Sequence, residues 1–75
     1  MNQKILQKKL QAGEIIYLLD DFEEAVVRLV CEDDKTKSFL KYRGRKEVEL
    51  PQSNETVCNI ILGGKEISKL EYENY

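Results

Sequence analysis

The chain has no histidine and no tryptophan, one proline, one methionine and two cysteines. Without histidine the commonest general base is missing, and with it the usual Ser or Cys triad and most zinc sites. Cys31 and Cys58 form no C-x-x-C pair, so a four-ligand zinc site would need carboxylates to complete it. No glycine-rich loop follows a strand and opens a helix. Gly63 and Gly64 come after a helical pattern and read as its stop. Ser38, Ser53 and Ser68 have no base partner in a recognisable arrangement. Two acidic clusters remain, Asp20-Asp21 with Glu23-Glu24, and Glu32-Asp33-Asp34. Neither has the alternate-position acids, turn glycine and twelfth-position Glu of a Ca²⁺ loop, so both read as solvated turns. The expectation is a protein that is not an enzyme and holds no metal or cofactor.

Long hydrophobic runs are missing too. The longest, residues 15–19, is far below the roughly 20 residues that cross a bilayer. The first residues, MNQKILQKKLQAG, lack the apolar core and cleavage site of a signal peptide. A cytoplasmic protein with two reduced, packed thiols and no membrane partner is expected.

What is present suits one small domain over residues 1–75. Leu, Ile, Val and Phe make up 22 of the 75 residues, enough for a core, though near the lower size limit for independent folding. A homodimer that hides further apolar surface fits that margin. The net charge of −2 conceals blocks. Residues 1–13 carry +3 and residues 14–34 carry −7, with Arg28 the lone base among eight acids. Residues 35–46 carry +6 with no acid, and residues 47–75 carry −4. Blocks of this kind neutralise one another across neighbouring elements or form a polarised binding surface.

Asn2 can cap a helix whose Met1, Ile5, Leu6 and Leu10 share one face, with Lys8 and Lys9 near its end and Gly13 as the stop. Residues 14–19 (EIIYLL) are then β-branched and aromatic and apolar on both faces, which predicts a buried strand. A polar corner around Phe22 follows. Residues 24–32 alternate as a strand with Ala25, Val27, Leu29 and Cys31 on one side; a helix placing Phe22, Val26, Leu29 and Val30 together is the alternative. EDDKTK reads as a turn. Residues 38–42 and 46–50 form a hairpin through Arg43, Gly44 and Arg45, ended by Pro51. Ser53 or Asn54 caps a helix carrying Val57, Ile60 and Ile61. Ser68 and Glu71 form a capping box that opens a short last helix with Leu70, Tyr72 and Tyr75.

The predicted fold class is α+β: a short N-terminal helix, a four-stranded antiparallel β-meander curling into a half-open small barrel, and one or two C-terminal helices. In strand count and length this resembles small Src-homology-type or Tudor-like barrels. No motif of either family is present, and the aromatic pocket they use has no Trp here, so no family is assigned.

The candidate contact residues follow from charge and aromatic placement. Lys41, Arg43, Arg45 and Lys46 flank Tyr42 at the hairpin tip. Strand alternation puts Tyr42 with Leu40 toward the core, and Lys41 and Arg43 outside. Asp20, Asp21 and Glu23 form an acidic corner, and Tyr72 and Tyr75 are aromatic anchors near the last residues. The expected function is a small protein-binding module that regulates or inhibits a larger partner, a type common among accessory proteins of phages and mobile elements. The alternative is an RNA- or DNA-binding regulator working through residues 41–46, although an acidic domain has the wrong sign for it. A third reading is a structural subunit of a homo-oligomer.

Overall fold

A computed structural model describes residues 2–75 of the protein. Helix α1 (Gln3–Gln11) starts where expected: the Asn2 side chain accepts from the amides of Lys4 and Ile5, satisfying two of the free N–H groups of the first turn. Lys8 and Lys9 lie in the last turn, and Gly13 takes φ +83° just beyond it. Of the predicted apolar face, Leu6 and Leu10 are buried and Ile5 is half exposed; Met1 lies outside the described residues.

The next three strands form the centre of the sheet. They are β1 (Ile16–Asp20), β2 (Ala25–Glu32) and β3 (Lys35–Tyr42). Residues 25–32 are thus strand and not helix, while Glu24 stays in the preceding turn. β2 pairs antiparallel with β1 (Leu18 opposite Val27) and with β3 (Val27 opposite Leu40). Because its neighbours cover both edges and its side chains alternate, β2 buries Val26 on one face and Val27 on the other, each with no exposed surface. The β2–β3 connection is Asp33-Asp34, both at positive φ (52° and 62°) and closed by the Glu32–Lys35 pair. Two successive positive φ values in a two-residue loop match the right-handed twist of the strands it joins.

The predicted second hairpin forms with a shortened return strand, β4 (Val48–Leu50), which pairs Val48 with Leu40 and Leu50 with Ser38. Ser38 is the one fully buried polar residue among those described, and its hydroxyl donates to the Leu50 carbonyl. Helix α2 (Glu55–Gly63) is capped by Asn54, whose side chain accepts from the Val57 amide at 3.1 Å.

Two expectations are corrected here. The sheet has five strands, because β5 (Lys65–Ile67) leaves α2 directly and pairs antiparallel with β1, Tyr17 opposite Ile67. The strand order is β4-β3-β2-β1-β5. Gly64 permits this junction: a Cβ there would lie 2.5 Å from the Ile60 carbonyl oxygen and 3.1 Å from that of Leu19. A three-residue strand with one apolar side chain carries no readable alternation, so it is invisible to periodicity. The sheet is also open and not a half-closed barrel, since β4 and β5 stand at opposite edges.

The two faces are covered separately. On the first, Ile16, Leu18, Ala25, Val27, Leu29 and Leu40 meet Leu6 and Leu10 of α1 and Val57 and Ile60 of α2. On the second, Val26 and Ile67 meet Tyr72 of α3 (Lys69–Glu73), flanked by Tyr17, Leu19 and Tyr75. The Ser68 hydroxyl accepts from the Glu71 amide, and the Glu71 carboxylate accepts from the Ser68 amide, which is the predicted capping box. Cys31 and Cys58 are both free and half-buried. None of the described helices is long and apolar enough to cross a membrane.

Replacing Asp33-Asp34 by Asn-Gly, the pair best suited to two positive φ values, is expected to stabilise the protein by about 0.5–1 kcal/mol. A raised urea midpoint with an unchanged slope verifies it; a lowered midpoint contradicts the turn assignment.

Candidate functional site

The basic hairpin does not project freely. Lys41 follows Leu40 in β3, so alternation sends it to the second sheet face, where α3 lies. Its Nζ donates to the carbonyls of Tyr72 (3.1 Å) and Glu73 (3.2 Å) and stands 5.8 Å from the Tyr72 ring. These carbonyls end a helix, where the backbone dipole favours a cation, and that of Tyr72 also accepts from the Tyr75 amide at 3.2 Å. The Arg43 guanidinium lies over the Tyr75 ring at 4.2 Å, and the Gly44 amide donates to the Tyr75 carbonyl at 3.0 Å. The expectation that Lys41 faces outward is therefore corrected, since it is half-buried and bonded to α3; Arg43 is exposed as expected, with its guanidinium lying on the Tyr75 ring. Arg45 and Lys46 are exposed. Tyr42 is also reassigned. It ends β3 opposite Ala25 and is 46 % exposed, although Leu40 two residues earlier is buried.

Glu47 is the hub beneath this segment. Its carboxylate accepts two bonds from the Arg28 guanidinium, at 2.7 and 3.1 Å, and a third from the Tyr72 hydroxyl at 2.7 Å. Arg28 in turn lies 4.0 Å over the Phe39 ring, and Tyr17 meets Tyr72 at 5.1 Å between centroids. The bonds from Arg28, opposed by partial burial and helped by the Tyr72 hydroxyl, hold the Glu47 carboxyl below its ordinary range. Burial, and then the bond to Glu47, push the Tyr72 phenol well above its usual value. The same pair holds the Arg28 guanidinium higher still. Sequence reasoning did not single out Glu47 or Arg28. The available signal was Arg28 itself, the lone base in the acidic block, on the opposite side of β2 from Val27.

The acidic corner lies elsewhere, at the β1–β2 turn. Asp20 Oδ1 accepts from the amides of Phe22 (2.8 Å) and Glu23 (3.3 Å), and Glu24 follows at φ +53°. Glu23 Oε1 accepts from Asn59 Nδ2 of α2 at 3.3 Å, and the Asp20 carboxylate lies close to Gly63 at the end of that helix. Two of the three predicted acids thus brace the turn, while Asp21 is exposed. What the brace holds out is Phe22, 92 % exposed. The sequence marked this corner as polar and treated Phe22 as its centre, without recognising that its ring has no cover.

No three of the described Cys, Asp and Glu residues are grouped so as to hold a metal ion. A groove of about 270 Å³ runs between α1 and the β2–β3 hairpin, with Leu6 and Leu10 as floor and Gln3, Gln7, Gln11 and Gln52 around it. Cys31 is the nucleophilic side chain there, set among amides with Asp34 as the sole charge. The chain matches no protein-family model, no curated protein and no solved structure.

Glu47→Gln should cost about 1 kcal/mol, the scale of a charge-assisted hydrogen-bond set that is partly exposed. Because the Glu47 carboxyl titrates lower in the fold than in the unfolded chain, its contribution is full above the ordinary carboxylate range. It disappears as pH falls through the depressed folded value. The stability of the Gln variant should therefore approach that of the native protein in acid; an unchanged gap from pH 7 to pH 3 would refute the assignment.

Proposed function

We propose that this chain is a non-enzymatic protein-binding module that regulates or inhibits a larger partner, and that the β1–β2 turn is its contact surface. The observation that carries the reading is Phe22, an uncovered aromatic ring on a turn held by Asp20 and Glu23. Single exposed apolar residues are common on protein surfaces. This one differs because its backbone is already fixed. A pre-ordered loop gives up little conformational entropy on docking, so more of the ring's burial is retained as affinity. Burying a Phe side chain is worth roughly 1.5–3 kcal/mol, the range in which aromatic residues dominate interfaces.

The surrounding charge suggests the partner's chemistry. Asp20, Asp21, Glu23 and Glu24 make the turn strongly negative, which favours an apolar pocket with a basic rim and speeds encounter with it. The nucleic-acid reading has less to work with. Lys41 is half-buried and Arg43, though exposed, stacks on Tyr75, so Arg45 and Lys46 are the exposed hairpin cations outside that contact. Saturable, steeply salt-dependent binding of RNA or DNA, weakened by Arg45→Glu, would favour that reading instead.

Capture from host lysate with native protein and with Phe22→Ala tests the proposal. The two proteins should unfold at the same denaturant concentration within about 0.5 kcal/mol. A protein retained by the native chain should bind the variant roughly 30-fold more weakly. Partners retained equally by both proteins would overturn the role given to Phe22.

A further inference from the structure

Helix α3 covers the second sheet face through contacts that are separate from the main core. Its buried partners are Val26 and Ile67, whereas α1 and α2 close a different cluster on the opposite face. The helix has five residues, far fewer than the 12–15 an isolated helix needs, so it exists only while docked. Docking uses the Tyr72 ring, the Tyr72–Glu47 bond, the Lys41 bonds to two carbonyls, the Arg43–Tyr75 stack and the Gly44–Tyr75 bond. The segment before it is anchored independently: β5 pairs with β1, and Glu66 on β5 is bonded to Lys9 of α1 at 2.8 Å. The junction between the anchored and docked parts is the single peptide link from Ile67 to Ser68, where Ser68 is extended (φ −80°, ψ 162°).

We propose that residues 68–75 form a latch that opens as one unit about the Ile67–Ser68 link while the five-stranded sheet and the first-face core stay folded. The physical basis is the division of contacts. Opening removes one buried aromatic ring and a few polar bonds, and leaves every strand pair and both longer helices intact. It bares Tyr17, Leu19, Val26 and Ile67 and frees Lys41 and Arg43. The molecule then presents a second apolar surface edged by two cations, distinct from the Phe22 turn and hidden when the latch is shut. The basic hairpin, on this view, is the receptor for the latch.

Four amides report on the latch. Those of Tyr72, Asn74 and Tyr75 donate within it, to Ser68, Leu70 and Tyr72, and that of Gly44 donates to the latch from the hairpin. Gly44 is exposed, so its protection depends on the latch being closed. Native-state hydrogen exchange on the full chain is the test. Latch opening predicts one shared protection factor for the four amides, about 100-fold or more below that of the β2 amides. Arg43→Ala should lower that shared factor about three-fold to ten-fold, the worth of a cation–π contact, and leave β2 unchanged. Two results overturn the proposal. One is exchange of the four amides at the β2 rate, which would make α3 part of a single cooperative unit. The other is protection falling stepwise from Tyr72 to Tyr75, which would be residue-by-residue fraying and not one opening unit.

Discussion

Strand β2 is buried on both faces where Val26 and Val27 stand, and the rest of the structure answers that constraint. Val27 and Val26 are adjacent in the chain, point to opposite sides, and are both wholly removed from water. A strand in that position needs a neighbour on each edge and a cover on each face. β1 and β3 supply the edges, and α1 with α2 cover the first face. The second face has less apolar material to hide, Val26, Tyr17, Leu19 and Ile67, and a five-residue helix led by Tyr72 suffices for it. That economy explains why so much polar chemistry gathers around α3. A small apolar contact is supplemented by Lys41, Arg43, Glu47 and, through Glu47, Arg28.

The segmented charge finds its explanation in the same geometry. The acidic and basic blocks lie side by side in the antiparallel β2–β3 pair, where Glu32 and Lys37 form an ion pair across the turn. Arg28 and Glu47 join the centre of the sheet to the β3–β4 connection. The β1–β2 turn is different. Its carboxylates organise backbone amides and an Asn side chain, and the ring at its tip is 92 % exposed.

Where a segment was long enough to express a period or carried a cap, the sequence was legible. The Asn2 cap, the strand at β1, the alternation of Ala25, Val27, Leu29 and Cys31 on β2, and the Ser68 capping box all follow from local rules, although β1 buries Ile16 and Leu18 fully and leaves Tyr17 and Leu19 half-buried. β5 did not announce itself, because Lys-Glu-Ile has no period and its pairing depends on Gly64 passing close to β1. The site residues divide the same way. Lys41, Arg43, Tyr72 and Tyr75 were all legible as candidate contacts; that they contact one another is a fact of topology, set by α3 crossing the second face. Phe22 stood in plain view within a polar turn, and only its exposure marks it. Exposure is not readable from a linear chain.

Nuclear Overhauser contacts from the Tyr72 ring test the two-faced sheet most directly. The account predicts cross-peaks from that ring to the Val26 methyl groups and the Tyr17 ring, alongside separate contacts between the Leu6 and Leu10 methyls and the first-face cluster around Val27. A Tyr72 ring with no contact to Val26, or one that reports instead to Leu6 and Leu10, would contradict it.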